Sequence, residues 1–227
     1  MKQNQPRLEI GMLLYPGLTL LDLIGPQTAF SWFSNIHLVW KTKDLIYSDT
    51  GIGVQPTATF ETCPRELDIL FVPGGFGQQQ LMKDAEVLAF LADRAASSKY
   101  ITSVCSGSLL LGAAGLLQGY KATSHWSVRD ALSAFGAEPV EARVVIDRNR
   151  VTGGGVTAGI DFGLVLLAKL RGDEAAKLTQ LAMEYDPEPP FQAGSPKTAG
   201  PVIVEQAMSF MATAMDELAA RVKAVAA

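Results

Sequence analysis

Residues 100–115, Tyr-Ile-Thr-Ser-Val-Cys-Ser-Gly-Ser-Leu-Leu-Leu-Gly-Ala-Ala-Gly, decide how the rest of the chain is read. Ile101 to Val104 has the pattern of a buried strand, Cys105 falls on one abrupt turn, and Ser106-Gly107-Ser108 opens a helix. A cysteine there stands at the tip of a strand and at the N-terminus of a helix. Unpaired backbone N–H groups and partial positive charge at that end favour an anion. The expected consequence is a thiol whose pKa is lowered toward the nucleophilic thiolate. The same geometry in serine hydrolases is the nucleophile elbow, where small residues beside the nucleophile relieve crowding, and Ser106 and Gly107 meet that need. A buried structural cysteine is the competing reading, because unpaired cysteines are among the most buried residues. The stretch by itself leaves both open.

Outward from this junction, strand and helix patterns alternate along the chain, which points to an α/β fold. The expected form is a flavodoxin-like or Rossmann-like sandwich: a mostly parallel sheet with helices on both faces. Leu8–Tyr15, Ile36–Lys41 and Asp68–Val72 read as strands, with short extended pieces and turns between 44 and 62. A helical pattern follows Leu20, broken by Gly25-Pro26, so the helix is expected to start properly at Pro26. Asp84 is a candidate N-cap for a helix to Ser97. Lys121–Ser124 looks extended and leads through His125-Trp126 into a helix to Phe135. Arg143–Ile146 and Arg150–Thr152 flank Asp147-Arg148-Asn149 as a hairpin, and helices are expected from Thr157 to Leu170 and from Gly172 to Glu184. The 227 residues suit one domain, residues 1–227, with a core of about 8–185, a loop at 186–201 carrying five prolines, and a helix at 202–225. That last helix places Val204, Met208, Met211, Met215, Leu218 and Val222 on one face, for packing on the domain or for a dimer contact.

Composition narrows the function. A net charge of −4 and scattered Lys and Arg give no footprint for nucleic acid. Met1 to Arg7 carries no apolar signal core, and the apolar run at Ile160–Leu170, interrupted by Asp161 and Lys169, is too short to span a bilayer. Two cysteines, Cys63 and Cys105, make neither a disulfide framework nor a zinc pattern. With His37 and His125 the only histidines, a histidine-rich metal site is not available. A reducing cytoplasm is the expected setting.

Three segments can converge on Cys105, two of them from the carboxyl ends of parallel strands, where ligands bind in such sheets. Asp22 lies within Leu20–Pro26 and is either the cap of the following helix or a partly desolvated acid with a raised pKa. Pro73-Gly74-Gly75-Phe76-Gly77 is either an ordinary tight turn or a backbone cradle, in which the N–H groups of Gly75 and Ser106 form an oxyanion-type hole. In Ser124-His125-Trp126, His125 is structural, a base or a hydrogen-bond partner of substrate. Gly153-Gly154-Gly155 with Val156 is expected as the far wall of the pocket, or as a helix-entry turn.

Taken together, these segments resemble the ThiJ/PfpI superfamily, which is related to class I glutamine amidotransferases. The resemblance runs from about Leu8 to Leu170. It is carried in order by Leu21-Asp22-Leu23-Ile24-Gly25-Pro26, Val72–Gly77, Val104-Cys105-Ser106-Gly107-Ser108, Ala122–Trp126 and Gly153–Asp161. Peptidase-like members carry His directly after the nucleophile, where this chain has Ser106. Many members place a Glu opposite the cysteine; Asp22 here is similar to the isocyanide hydratases, as is Tyr185–Phe191. That branch usually has Thr at the position of Ser106, so a methyl group is missing beside the sulfur. Regulators with a fused helix-turn-helix pair share the Thr-Ser-His-Trp stretch, but this chain shows no such module, and a stand-alone domain is expected.

The resemblance implies hydration of a small isocyanide to an N-substituted formamide. Cys105 would form a covalent thioimidate, Asp22 would act as general acid and then base, and Gly75 and Ser106 N–H groups would hold anionic states. His125 and Val156 would line a mostly apolar pocket. No metal or organic cofactor, no nucleic acid and no membrane are expected, and the superfamily implies a homodimer. A glyoxalase-like carbonyl hydratase or a non-catalytic oxidation sensor, each using the same thiol, are the alternatives.

Overall fold

The computed structural model describes residues 5–226. Met1-Lys2-Gln3-Asn4, part of the segment read as lacking a signal core, and Ala227 lie outside the described residues. In chain order the elements are β1 (Leu8–Leu13), α1 (Leu20–Phe30), β2 (Ser34–Trp40), β3 (Ile46–Tyr47), β4 (Gly53–Val54), β5 (Ala58–Thr59) and β6 (Ile69–Val72). Then come α2 (Gln78–Leu81), α3 (Ala85–Ser97), β7 (Tyr100–Val104), α4 (Gly107–Ala113), β8 (Lys121–Ala122), β9 (Glu138–Pro139), β10 (Val144–Asp147) and β11 (Arg150–Gly153). Helices α5 (Ala158–Arg171), α6 (Asp173–Ala182), α7 (Pro196–Ala199) and α8 (Pro201–Ala226) complete the chain.

One seven-stranded sheet, ordered β10-β11-β7-β6-β1-β2-β5, organises the molecule. Every pairing in it is parallel except the β10–β11 hairpin. The central strands β1 and β6 are mostly apolar, with Ile10, Met12, Leu13, Ile69, Leu70, Phe71 and Val72 inaccessible to solvent and Glu9 the one charged residue. That is the pattern of strands covered on both faces. The chain moves from β1 to β2 in one direction and from β6 to β7 in the other. Right-handed crossovers therefore set α1 and α3 on opposite faces. Helix α5 joins α1, and Phe162 meets Phe30 edge-on at 6.4 Å and Phe71 at 5.6 Å between ring centroids. The reversal of direction leaves a crevice beyond the carboxyl ends of β1 and β6, where the segments after β1, β6 and β7 meet.

Three local expectations are corrected. Helix α1 starts at Leu20, not at Pro26, which sits inside it. Asp22 is thus in the first turn rather than at the cap, and the cap position, Thr19, makes no side-chain capping bond. The segment after His125-Trp126 is a 3-10 helix from Arg129 to Phe135 rather than an α-helix. Asp84 does cap α3, accepting from the N–H groups of Glu86 and Val87. Along α8 the apolar stripe is unevenly covered: Leu218 and Val222 are buried, whereas Val204, Met208 and Met211 are only half-buried.

Candidate active site

Strand β7 ends and α4 begins with only Cys105 and Ser106 between them. Cys105 makes the reversal with φ of 53°, a left-handed backbone that non-glycine residues seldom adopt. Its N–H donates to the carbonyl of Gly154 at 2.8 Å, and its own carbonyl accepts the Ser124 hydroxyl at 2.8 Å and the Ser108 hydroxyl at 3.2 Å. The strained turn is over-determined by these bonds, which is the condition for strain to persist at a functional position. Gly74 is required beside it. A Cβ there would lie 2.6 Å from Asp22 Oδ2, 2.7 Å from Cys105 Cβ and 2.7 Å from the Ser106 nitrogen. Those groups follow β1 and β7, and with Gly74, which follows β6, they bring the ends of three strands to one point.

Asp22 is completely buried. Its Oδ2 accepts from the Gly74 N–H at 2.9 Å, and its Oδ1 has no hydrogen-bond partner. Burial raises its pKa to about 7, against the opposing pull of the Cys105 thiol and the Gly74 N–H. Cys105 is 7% exposed. Burial, and then the neighbouring Asp22 charge, push its thiol well above the ordinary range, while the backbone N–H groups of Val156 and Ser106 pull it down. The lowered thiol pKa expected from the helix terminus is therefore reversed. Desolvation and a buried carboxylate outweigh a short helix end. The two groups act as a pair that holds one proton once Asp22 has titrated.

The expected donors also change places. The Gly75 N–H donates to Ser106 Oγ at 3.1 Å, so it is engaged within the loop rather than free for an anion. Val156, expected as wall, supplies the second backbone N–H toward the sulfur. His125 is half-buried and its Nδ1 pairs with the Ser127 hydroxyl at 2.8 Å. Burial lowers its pKa, so the ring is neutral at physiological pH. It lies against Gly155, where a Cβ would come within 2.5 Å of the ring. A cavity of about 270 Å³ opens on Cys105, bordered by Gly75, Ser106, His125 and Val156, with Met211 and Leu218 of α8 closing it. All six expected site residues are thus gathered here, five of them bordering the cavity and Asp22 beside Cys105 across Gly74. Among the described residues no cluster of three or more His, Cys, Asp or Glu side chains is arranged to hold a metal.

Residues 9–169 match the model of the DJ-1/PfpI family. The chain belongs to the DJ-1/PfpI family. Within it, isonitrile hydratase of Pseudomonas putida is 51% identical over 202 residues, 88% of each chain. A ThiJ/PfpI family crystal structure from Pseudomonas syringae superposes with a TM-score of 0.92 at 56% identity, covering 96% of this chain and 91% of that one. The HTH-type transcriptional regulator GbdR of Pseudomonas aeruginosa is 33% identical over 182 residues, 76% of this chain but 49% of the regulator. The resemblance read from motifs is therefore a family membership. No helix among the described residues is long and apolar enough to cross a membrane.

Sequence reading missed part of this DJ-1/PfpI site. Thr19, Asp49 and Gln78 border the cavity, and Thr19 donates to Asp49 Oδ2 at 2.7 Å. Asp49 stands between β3 and β4, in a segment without regular pattern, so nothing in its spacing flagged it. Gln78 opens a polar run, Gln78-Gln79-Gln80, directly after the glycine loop, and only the structure shows that the first two are buried while Gln80 is exposed. Tyr185, at the start of the proline-rich loop, donates to Asp161 Oδ2 at 3.1 Å, and Arg143 pairs with the same carboxylate, so the loop is tied to the first turn of α5.

Proposed function

We propose that the protein is an isocyanide hydratase, a cofactor-independent lyase that adds water to an isocyanide and releases an N-substituted formamide. The observation that carries this reading is the buried pairing of Cys105 with an aspartate, Asp22, in a chain 51% identical to an isonitrile hydratase.

The proton pair suits the chemistry. Ionised Asp22 takes the Cys105 proton as the sulfur bonds to the terminal carbon of R–N≡C. Asp22 then delivers that proton to the same carbon, giving the thioimidate R–N=CH–S–Cys105. The Val156 and Ser106 N–H groups hold the sulfur's charge while it is exposed. In the second half Asp22, ionised again, draws a proton from water. The hydroxyl bonds to the carbon, and the proton goes to nitrogen, giving R–NH–CH(OH)–S–Cys105. Collapse breaks the carbon–sulfur bond, forms the formyl group and returns a proton to the sulfur. Covalent catalysis divides one difficult addition into two easier ones. A pKa near 7 lets one carboxyl serve as base and acid in turn. These steps ask for no metal or organic cofactor. The cavity of about 270 Å³ suits a small, mostly apolar substrate.

The test is formamide production from an alkyl or aryl isocyanide, with Cys105→Ala beside it. Turnover that vanishes in the variant supports the hydratase. No turnover, with methylglyoxal converted instead, transfers the thiol to carbonyl hydration. No turnover of either, with the thiol still oxidised by peroxide, leaves a sensor. A cytoplasmic homodimer is part of the same reading. Its support is the half-covered N-terminal part of α8, with Phe210 94% exposed and Val202 and Ile203 exposed beside it. Sedimentation equilibrium is expected to give twice the chain mass, and a monomer at micromolar concentration would rule the dimer out.

A further inference from the structure

The glycine loop after β6 runs into α2, whose first two residues are both buried glutamines used differently. Gln79 spends its amide on architecture: Nε2 donates to the carbonyl of Ala214 at 3.0 Å and ties α2 to α8. Gln78 is 1% exposed and borders the same cavity as Cys105, yet its Oε1 has no hydrogen-bond partner. An unpaired buried carbonyl of this kind is destabilising, because it has given up water without a replacement. Such a group calls for an explanation in an otherwise well-satisfied interior. Its backbone needs are met, since its N–H donates to the Gly75 carbonyl and its own carbonyl accepts from Met82. What is left over is the side-chain amide alone.

No hydrogen bond among the described residues tethers that amide. As placed the oxygen is inaccessible to solvent, but the terminal torsion of glutamine is broad, and a half-turn of the amide exchanges its oxygen with its nitrogen and presents the oxygen to the cavity. Of the other acceptors that border the cavity, Asp49 has one carboxylate oxygen taken by Thr19, and the two nearest the sulfur are engaged. Ser106 Oγ receives the Gly75 N–H, and His125 Nδ1 is held by Ser127.

The isocyanide itself has no N–H or O–H, and neither has the thioimidate. Donors appear only in the second half of the reaction: the attacking water first, then the N–H of the tetrahedral intermediate and formamide. We propose that Gln78 is a further catalytic residue of the hydratase, whose side-chain carbonyl accepts a hydrogen bond from the water that attacks the thioimidate and from the N–H formed in that step. This rests on the isocyanide hydratase reading. The isocyanide and the thioimidate offer that carbonyl no donor, whereas the attacking water and the new N–H do, so its interaction favours the second transition state over the thioimidate that precedes it.

The experiment is Gln78→Met, which keeps the length of the side chain and removes the acceptor, compared with wild type on one isocyanide. Formamide release and intact-protein mass are followed together. The expected result is a kcat lowered about 100-fold, with formation of the covalent adduct at the wild-type rate. Protein heavier by the whole mass of the isocyanide then accumulates, and Cys105→Ala shows none. The melting temperature is expected to stay level or rise, because an unpaired polar group has been removed. Unchanged kcat and no accumulated adduct would overturn the role of Gln78 while leaving the hydratase standing. A lowered melting temperature with adduct formation and release slowed alike would also overturn it, in favour of a structural residue. Failure of wild type to make formamide would remove the hydratase reading, and this proposal with it.

Discussion

The two cysteines of the chain are both buried and unpaired, and the simplest electrostatic criterion does not pick the one proposed as nucleophile. Cys63 is a member of the hydrophobic core and has the Arg94 guanidinium beside it. Burial raises its thiol, and Arg94 pulls against that rise. Cys105 is not part of that core cluster, and its nearest ionisable partner is a carboxyl that pushes its thiol up further. A nearby cation is the usual mark of a reactive cysteine, and here it marks Cys63. The difference lies in what the neighbours can do. Arg94 is bound to the carbonyls of Phe60 and Cys63, so it fastens a turn. It cannot accept a proton. Asp22 can, with a pKa of about 7 and one oxygen free. Cys105 also opens on a cavity and adopts a left-handed backbone. On the proposed mechanism, reactivity at Cys105 rests on a proton acceptor and access, not on a thiolate stored at rest.

The largest effect expected separates the two positions outright. Cys105→Ala should abolish isocyanide turnover, and Cys63→Ala should retain it while losing about 1–2 kcal/mol of stability. Initial rates and thermal melts of the two variants check this. Loss of turnover in Cys63→Ala without unfolding would break the comparison. Next comes Asp22→Asn, which keeps the shape and removes the acceptor. Its rate should fall by about 10²–10⁴-fold. The wild-type profile carries the sign. The pair is reactive after losing its first proton, so kcat/KM should rise with pH through about 7 and level above it. In Asp22→Asn that acid limb should vanish, because the remaining titration is that of a thiol held well above neutrality. A wild-type rate flat between pH 5.5 and 8.5 would show that Asp22 does not take the proton.

The same contrast explains what was readable beforehand. The parallel sheet followed from apolar runs such as Leu8–Leu13 and Ile69–Val72, whose composition answers to burial on both faces. The position of Cys105 followed from small residues packed around one turn. The start of α1 did not follow, because Pro26 is locally a helix-starting residue and the packing of α1 on α5 overrides it inside the helix. Donor roles were unreadable for a different reason. Whether a backbone N–H is free depends on what bonds to it, and Gly75 is engaged by a hydroxyl from another strand end. Asp49 and Gln78 come to border the cavity only through the way the loops fold over it.

The smallest effect expected concerns Asp49 and measures the electrostatics most cleanly. Its carboxylate raises the Asp22 pKa, as the least of the four contributing causes, behind burial. It is itself exposed, so water screens it. Asp49→Asn keeps an oxygen to accept the Thr19 hydroxyl while removing the charge, and the backbone bond from the Asp49 N–H to Leu18 is untouched. With a negative neighbour gone, ionised Asp22 is less opposed. The acid limb of kcat/KM should shift to lower pH, with its plateau nearly unchanged. The shift should shrink in high salt, as expected of a solvent-exposed charge. A limb that does not move would mean that burial alone sets Asp22. A limb that moves to higher pH would mean that Asp49 helps Asp22 to ionise, opposite in sign to a like-charge contact. At Cys63 no matching experiment exists, because the nearby charge is fastened to carbonyls and its removal unpairs them.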